Sequence, residues 1–134
     1  MDKNELHGSL VLVHPGLEND PANKQGSVGI IAYVNNKDEI FVRFGTIEGK
    51  YAPNALLRLK DRETLFTDLL EDASKLDLKD YKDLYKISVL QEMGRAADTW
   101  RALEIASKNP AIWEKALKPV QNSIPLRMAQ SIGR

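Results

Sequence analysis

The apolar residues of this 134-residue chain change period once, near Lys60, and that change restricts the chain to a mixed fold. Before Lys60 they alternate or run in short β-branched blocks, the pattern of strands. Ser9 to His14, Gly26 to Val34, Glu39 to Phe44, and Leu56 to Lys60 are the blocks. Pro15-Gly16, Asn35-Asn36-Lys37-Asp38 and Gly45 punctuate them with turn chemistry. After Lys60 the repeat is about 3.6 residues, the period of a helix with one buried face. The fold class is therefore α+β: strands over residues 1–60, then three to four helices over residues 61–134.

Alternation also predicts a register. Val28, Ile30, Ala32 and Val34 share one strand face, and Ile40, Val42 and Phe44 share another. Facing both sets inward pairs Val34 with Ile40, Ala32 with Val42 and Ile30 with Phe44. That pairing needs an odd loop of three or five residues centred on Lys37, with a bulge, because a one-residue slip turns every side chain over. It leaves Ile31, Tyr33, Phe41 and Arg43 as an outer stripe. A stripe of that kind needs cover, either from the first helix or from a partner.

The spacing Val11-x-Val13-x-Pro15-Gly16, then Gln25-Gly26-Ser27-Val28-x-Ile30, Ile40-x-Val42-x-Phe44, Tyr51 and Leu56-x-x-Leu59 resembles an SH3-like small β-barrel of the KOW or mind-bomb type. The resemblance covers the strand half alone. It implies a closed barrel over residues 1–60 with the helical region packed on or beside it. Leu17 to Gln25 then takes the place of a long first loop and reads as solvated.

The helical half carries its own punctuation. Asp61-Arg62-Glu63-Thr64 caps a helix bearing Leu65, Phe66, Leu69 and Leu70. From Leu78 to Met93 apolar residues are dense enough to imply burial on several sides, and Gly94 ends the run. Ala96 to Ala106 stripes a third helix. Asn109-Pro110 caps a fourth that reaches Pro119, and Ser123 to Leu126 suggests a short fifth.

Chemistry is sparse. There is no cysteine, which excludes disulfides, thiolate metal sites and a Cys nucleophile, and fits a cytoplasmic setting. The start lacks an apolar signal core, and no run reaches the ~20 apolar residues of a membrane helix. Gly45 to Tyr51 falls one residue short of a phosphate loop, with Tyr51 in place of Ser or Thr, and reads as a hairpin turn. His7 and His14 stand at opposite ends of one strand and cannot share a metal. The expectation is a non-catalytic protein-interaction module or assembly component without a cofactor, binding a protein or peptide through Ile31, Tyr33, Phe41, Arg43 and Tyr51. The alternative is a KOW-type nucleic-acid binder using Lys24, Lys37, Arg43, Lys50, Arg58 and Lys60. Against it, residues 1–60 hold seven acids and seven bases, without the basic excess such a domain shows. Residues 61–92 carry a net −4 (five bases, nine acids) and residues 93–134 a net +4 (seven bases, three acids). Helices so charged can offset one another, or the later ones can offer a basic face.

Overall fold

A computed structural model describes residues 8–120, apart from 19, 21, 37 and 38. Strands β1 (Leu10–Val13), β2 (Val28–Asn36), β3 (Glu39–Phe44), β4 (Ile47–Tyr51) and β5 (Leu56–Leu59) come first. Helices α1 (Arg62–Asp72), α2 (Leu78–Met93), α3 (Ala96–Ser107) and α4 (Trp113–Ala116) follow, and strand β6 (Leu117–Pro119) comes after them. Among the described residues no strand interrupts the chain between α1 and α3, as the change of period predicts.

The six strands form one antiparallel sheet in the order β4-β3-β2-β1-β5-β6. This corrects the expected barrel. Closure would require β5 to turn back toward β4. Instead β5 pairs outward with β6, Leu57 opposite Pro119 and Leu59 opposite Leu117, so the sheet stays open with β4 and β6 at its two edges. The segment expected to continue the fourth helix as far as Pro119 supplies that last strand. Asn109 does begin this segment as read: its Oδ1 accepts from the Ala111 N–H at 3.2 Å, and its amide donates to Asp80 and Asp83. The suggested fifth helix at Ser123 to Leu126 lies outside the described residues.

A β-bulge inverts the predicted register. Val34 lies opposite Ile40 as expected, but Ile31 lies opposite Val42 and Ile30 opposite Arg43. The extra residue is Ala32, between Ile31 and Tyr33, and a second slip falls at Asn35. Two residues, 37 and 38, separate the paired ends Asn36 and Glu39. The one-residue correction is thus made inside β2 rather than in the loop. Ile31 is fully buried (0 % exposed), whereas Ile30 is 42 % exposed.

Each face of the sheet has its own core. Val11, Val13, Ile31, Ile40, Val42, Tyr51, Leu56 and Val120 pack together on the inner face. Gly29 is required there, because a Cβ would come within 2.6 Å of Val42 and 2.7 Å of the Phe44 ring. On the outer face Leu12, Val28, Leu57 and Leu117 meet the helices through Leu65, Leu69, Leu84, Ile87, Leu103 and Ala106. Asp61 caps α1 through Thr64 N–H at 2.9 Å. Gly94 ends α2 at φ +75°, a left-handed turn that glycine adopts without strain. The dense apolar run in α2 is not buried all round, since Tyr85, Val89 and Met93 are exposed. Lys115 of α4 reaches Asp72 of α1 at 2.7 Å, one instance of the expected offset between basic and acidic helices.

Candidate interaction surface

The helices cover only part of the outer face. Leu10 of β1 packs against the helical core, but its cross-strand neighbour Ile30 is already exposed. Among the described residues, no helix packs over the face of β2, β3 and β4 from Ile30 outward, where Ile30, Tyr33, Arg43, Glu48 and Lys50 are exposed. Residues directly opposite on neighbouring strands share a face, so two cross-strand rows can be read from the pairing. One runs Ile30, Arg43, Glu48; the other runs Tyr33, Phe41, Lys50.

The second row carries the aromatic centre. Tyr33 and Phe41 stack with ring centroids 4.4 Å apart and planes 14° from parallel. The bulge at Ala32 brings them together, because it returns Tyr33 to the outer face after Ile31 has turned inward. Tyr33 is 47 % exposed, and Phe41 is half-buried beneath it. Stacking supplies part of the cover that such rings need, about 0.5–1.5 kcal/mol beyond area burial.

Paired charges ring this centre. Arg43 lies 3.7 Å from Glu48, and Lys50 lies 3.4 Å from Glu39. Glu39 also accepts from the Asn35 amide at 2.6 Å. That hydrogen bond, with the ammonium of Lys50, holds the Glu39 carboxyl below its ordinary range. Two bases and two acids leave the rim neutral. An aromatic centre within a polar rim is the anatomy of a protein interface.

Not all the expected partner-binding residues meet here. Tyr33, Phe41 and Arg43 do. Ile31 belongs to the opposite core, and Ile30, which alternation placed inside, stands in its place. Tyr51 is 4 % exposed on the inner face. Its phenol donates to Asp20 at 2.9 Å, and burial, followed by that carboxylate, pushes its pKa above the ordinary phenol value. Asp20 also accepts from the backbone N–H groups of Ala22 and Lys24, at 2.9 and 2.8 Å. The Leu17 to Gln25 segment is thereby tied to the sheet rather than freely solvated. Gly49 admits it, since a Cβ there would sit 3.1 Å from Ala22 and 2.9 Å from the Tyr51 ring.

The cations proposed for nucleic acid do not form one patch. Lys50 and Arg43 are paired on the aromatic face. Lys60 donates to the Glu114 carbonyl beside α4. Arg58 lines a groove under the helices, Lys24 sits in the Asp20 loop, and Lys37 lies outside the described residues. Gly45 and Thr46 form the turn between β3 and β4, with Gly45 at φ +69°, so the phosphate-loop look-alike is a hairpin. His14 accepts from the Gly16 N–H through Nδ1 at 2.9 Å, and its ring makes a T-shaped contact with Trp113. Among the described residues there is no metal-binding cluster of His, Asp and Glu, and no helix is long and apolar enough to cross a membrane.

The chain matches no protein-family model, no curated protein and no solved structure. With the sheet open and no family match, the KOW or mind-bomb resemblance does not stand.

Proposed function

We propose that the chain is a non-catalytic protein-interaction module whose partner docks on the uncovered half of the sheet's outer face. The observation that carries this reading is the stacked Tyr33–Phe41 pair, left open beside Ile30 and enclosed by the Arg43–Glu48 and Lys50–Glu39 pairs. A partner bringing an apolar side chain to Tyr33 removes water from both rings without having to neutralise the rim. Among the described residues the adjoining strand β4 is the last of its sheet, so an extended segment has an edge to follow. Nucleic acid would need a basic excess that these self-compensated charges lack.

The test is the double variant Tyr33→Ser/Phe41→Ser. Both rings are partly solvated, so it folds and its unfolding midpoint falls by only a few degrees, the equivalent of about 1–2 kcal/mol. It no longer retains the protein that the parent chain retains from an extract of the source cell. A variant that unfolds, or one that retains the same protein, contradicts the reading.

A further inference from the structure

The two edges of the sheet are not alike. β6 is three residues long and ends on Pro119, which has no N–H to offer a further strand. β4 is five residues long and contains no proline. Its pairing with β3 fixes which of its backbone groups are free. Gly45 and Thr46 make a two-residue turn, so the residues flanking it, Phe44 and Ile47, exchange both hydrogen bonds. The alternate pairs Val42–Gly49 and Ile40–Tyr51 do the same. The N–H and C=O groups of Glu48 and Lys50 therefore point away from β3, along the open edge. Among the described residues no other backbone group meets them. Their side chains are exposed on the outer face, an acid and a base on either side of Gly49.

A strand of that composition is complementary to itself. Two copies of β4 laid antiparallel about a twofold axis at Gly49 bring Glu48 opposite Lys50 of the second copy, and Lys50 opposite its Glu48. In that register the outward backbone groups meet as well, and each of the two pairs exchanges N–H···O=C bonds in both directions. Sliding the strands by two residues keeps such bonds but sets Glu48 against Glu48, or Lys50 against Lys50, and like charges directly opposite are unfavourable. Charge thus selects one register. Within each copy Arg43 lies 3.7 Å from Glu48 and Lys50 lies 3.4 Å from Glu39. The pairing extends these into a row of alternating sign: Arg43, Glu48, then Lys50 and Glu39 of the second copy. Ile47, 46 % exposed, comes opposite Tyr51 of the second copy and gains cover at the edge. We propose that the chain self-associates through β4, joining two six-stranded sheets into one, with Glu48 and Lys50 as reciprocal ion pairs. The extended segment on the β4 edge is then a second copy. The two outer faces lie on the same side of the joined sheet and leave Tyr33 and Phe41 open to a different protein.

Sedimentation of the full chain over a concentration series tests this. The mass rises from that of one chain toward that of two by about 1 mM, the range of a small, weak interface. Hydrogen exchange at the Glu48 and Lys50 amides slows over the same range. Glu48→Lys places bases opposite bases, Lys50→Glu places acids opposite acids, and each weakens self-association by about tenfold or more. An equimolar mixture of the two variants restores it, because every pair across the axis is again of opposite sign. That recovery also shows that neither loss comes from misfolding. A parent chain that stays single to about 1 mM, variants that associate as the parent does, a mixture that stays single, or amides whose exchange ignores concentration each overturn the proposal. The docking reading fails separately, since it is read from the retention of a different protein through Tyr33 and Phe41.

Discussion

Replacing Ile31 and Ile30 separately with alanine tests the inverted register, because the two neighbours exchange fates according to whether Ala32 is bulged. Ile31 is fully buried among Val11, Val13, Ile40, Val42 and Leu56. Truncating such a side chain loses its transfer free energy and leaves a cavity, together about 2–5 kcal/mol. Ile30 is 42 % exposed, at the margin of the helical cover. Its truncation removes little buried area and opens no closed cavity, so it costs below about 1 kcal/mol. For a chain of this length 1 kcal/mol corresponds to roughly 3–5 °C, so Ile31→Ala lowers the melting midpoint by about 6–25 °C and Ile30→Ala by less than about 5 °C. Urea titration of both variants, at an unchanged slope, gives the same order free of heating artefacts. Straight alternation through β2 demands the reverse order. If Ile30→Ala proves the more damaging, the bulge is misplaced and the composition of both faces falls with it.

Gly29→Ala places a methyl group 2.6 Å from Val42 and against the Phe44 ring, and its urea midpoint reports a loss of about 1–3 kcal/mol; a neutral outcome contradicts the close approach. Tyr51→Phe removes the bond to Asp20 and costs about 1.5–3 kcal/mol at neutral pH by denaturant titration. Because the Tyr51 pKa is raised in the folded chain, its contribution is complete below the ordinary phenol pKa of about 10 and is lost as pH climbs beyond it. The parent protein therefore loses stability in alkali more steeply than the Phe variant, and parallel alkaline limbs contradict the assignment. Asp61→Ala removes the cap on Thr64 and lowers the midpoint in the same titration, whereas no change contradicts the cap.

The elements of this fold announce themselves more clearly in the sequence than their arrangement does. The change of period at Lys60, the Asp61 and Asn109 caps, the Gly45 turn and the Gly94 stop are local signals, and each is set by residues within a few positions of itself. The bulge at Ala32 is not local in that sense. Alanine carries no turn chemistry, and the unbroken run Ile30-Ile31-Ala32-Tyr33-Val34 fits either face equally well. What decides is the fit of Ile31 against Val42 and the room left by Gly29, contacts that exist only once the strands pair. The same holds for openness: three residues after a four-residue helix, Leu117 to Pro119, are too short to read as a strand, yet they occupy the edge that β5 would otherwise offer to closure. Of the aromatic site, Tyr33, Phe41 and Arg43 were legible because they lie beyond the bulge or on the regular partner strand. Ile31 and Tyr51 were not, since the first depends on the bulge and the second on a bond to Asp20 across 31 residues.

Site-specific photocrosslinking inside the source cell tests the docking surface most directly. A photoreactive phenylalanine replaces Tyr33 in one chain and Leu70 in another; Leu70 is a control on α1 that is more exposed still, at 60 %. The account predicts a discrete protein adduct from position 33, lost when Phe41→Ser is added, and none from position 70. No adduct from position 33, or the same adduct from both positions, contradicts it.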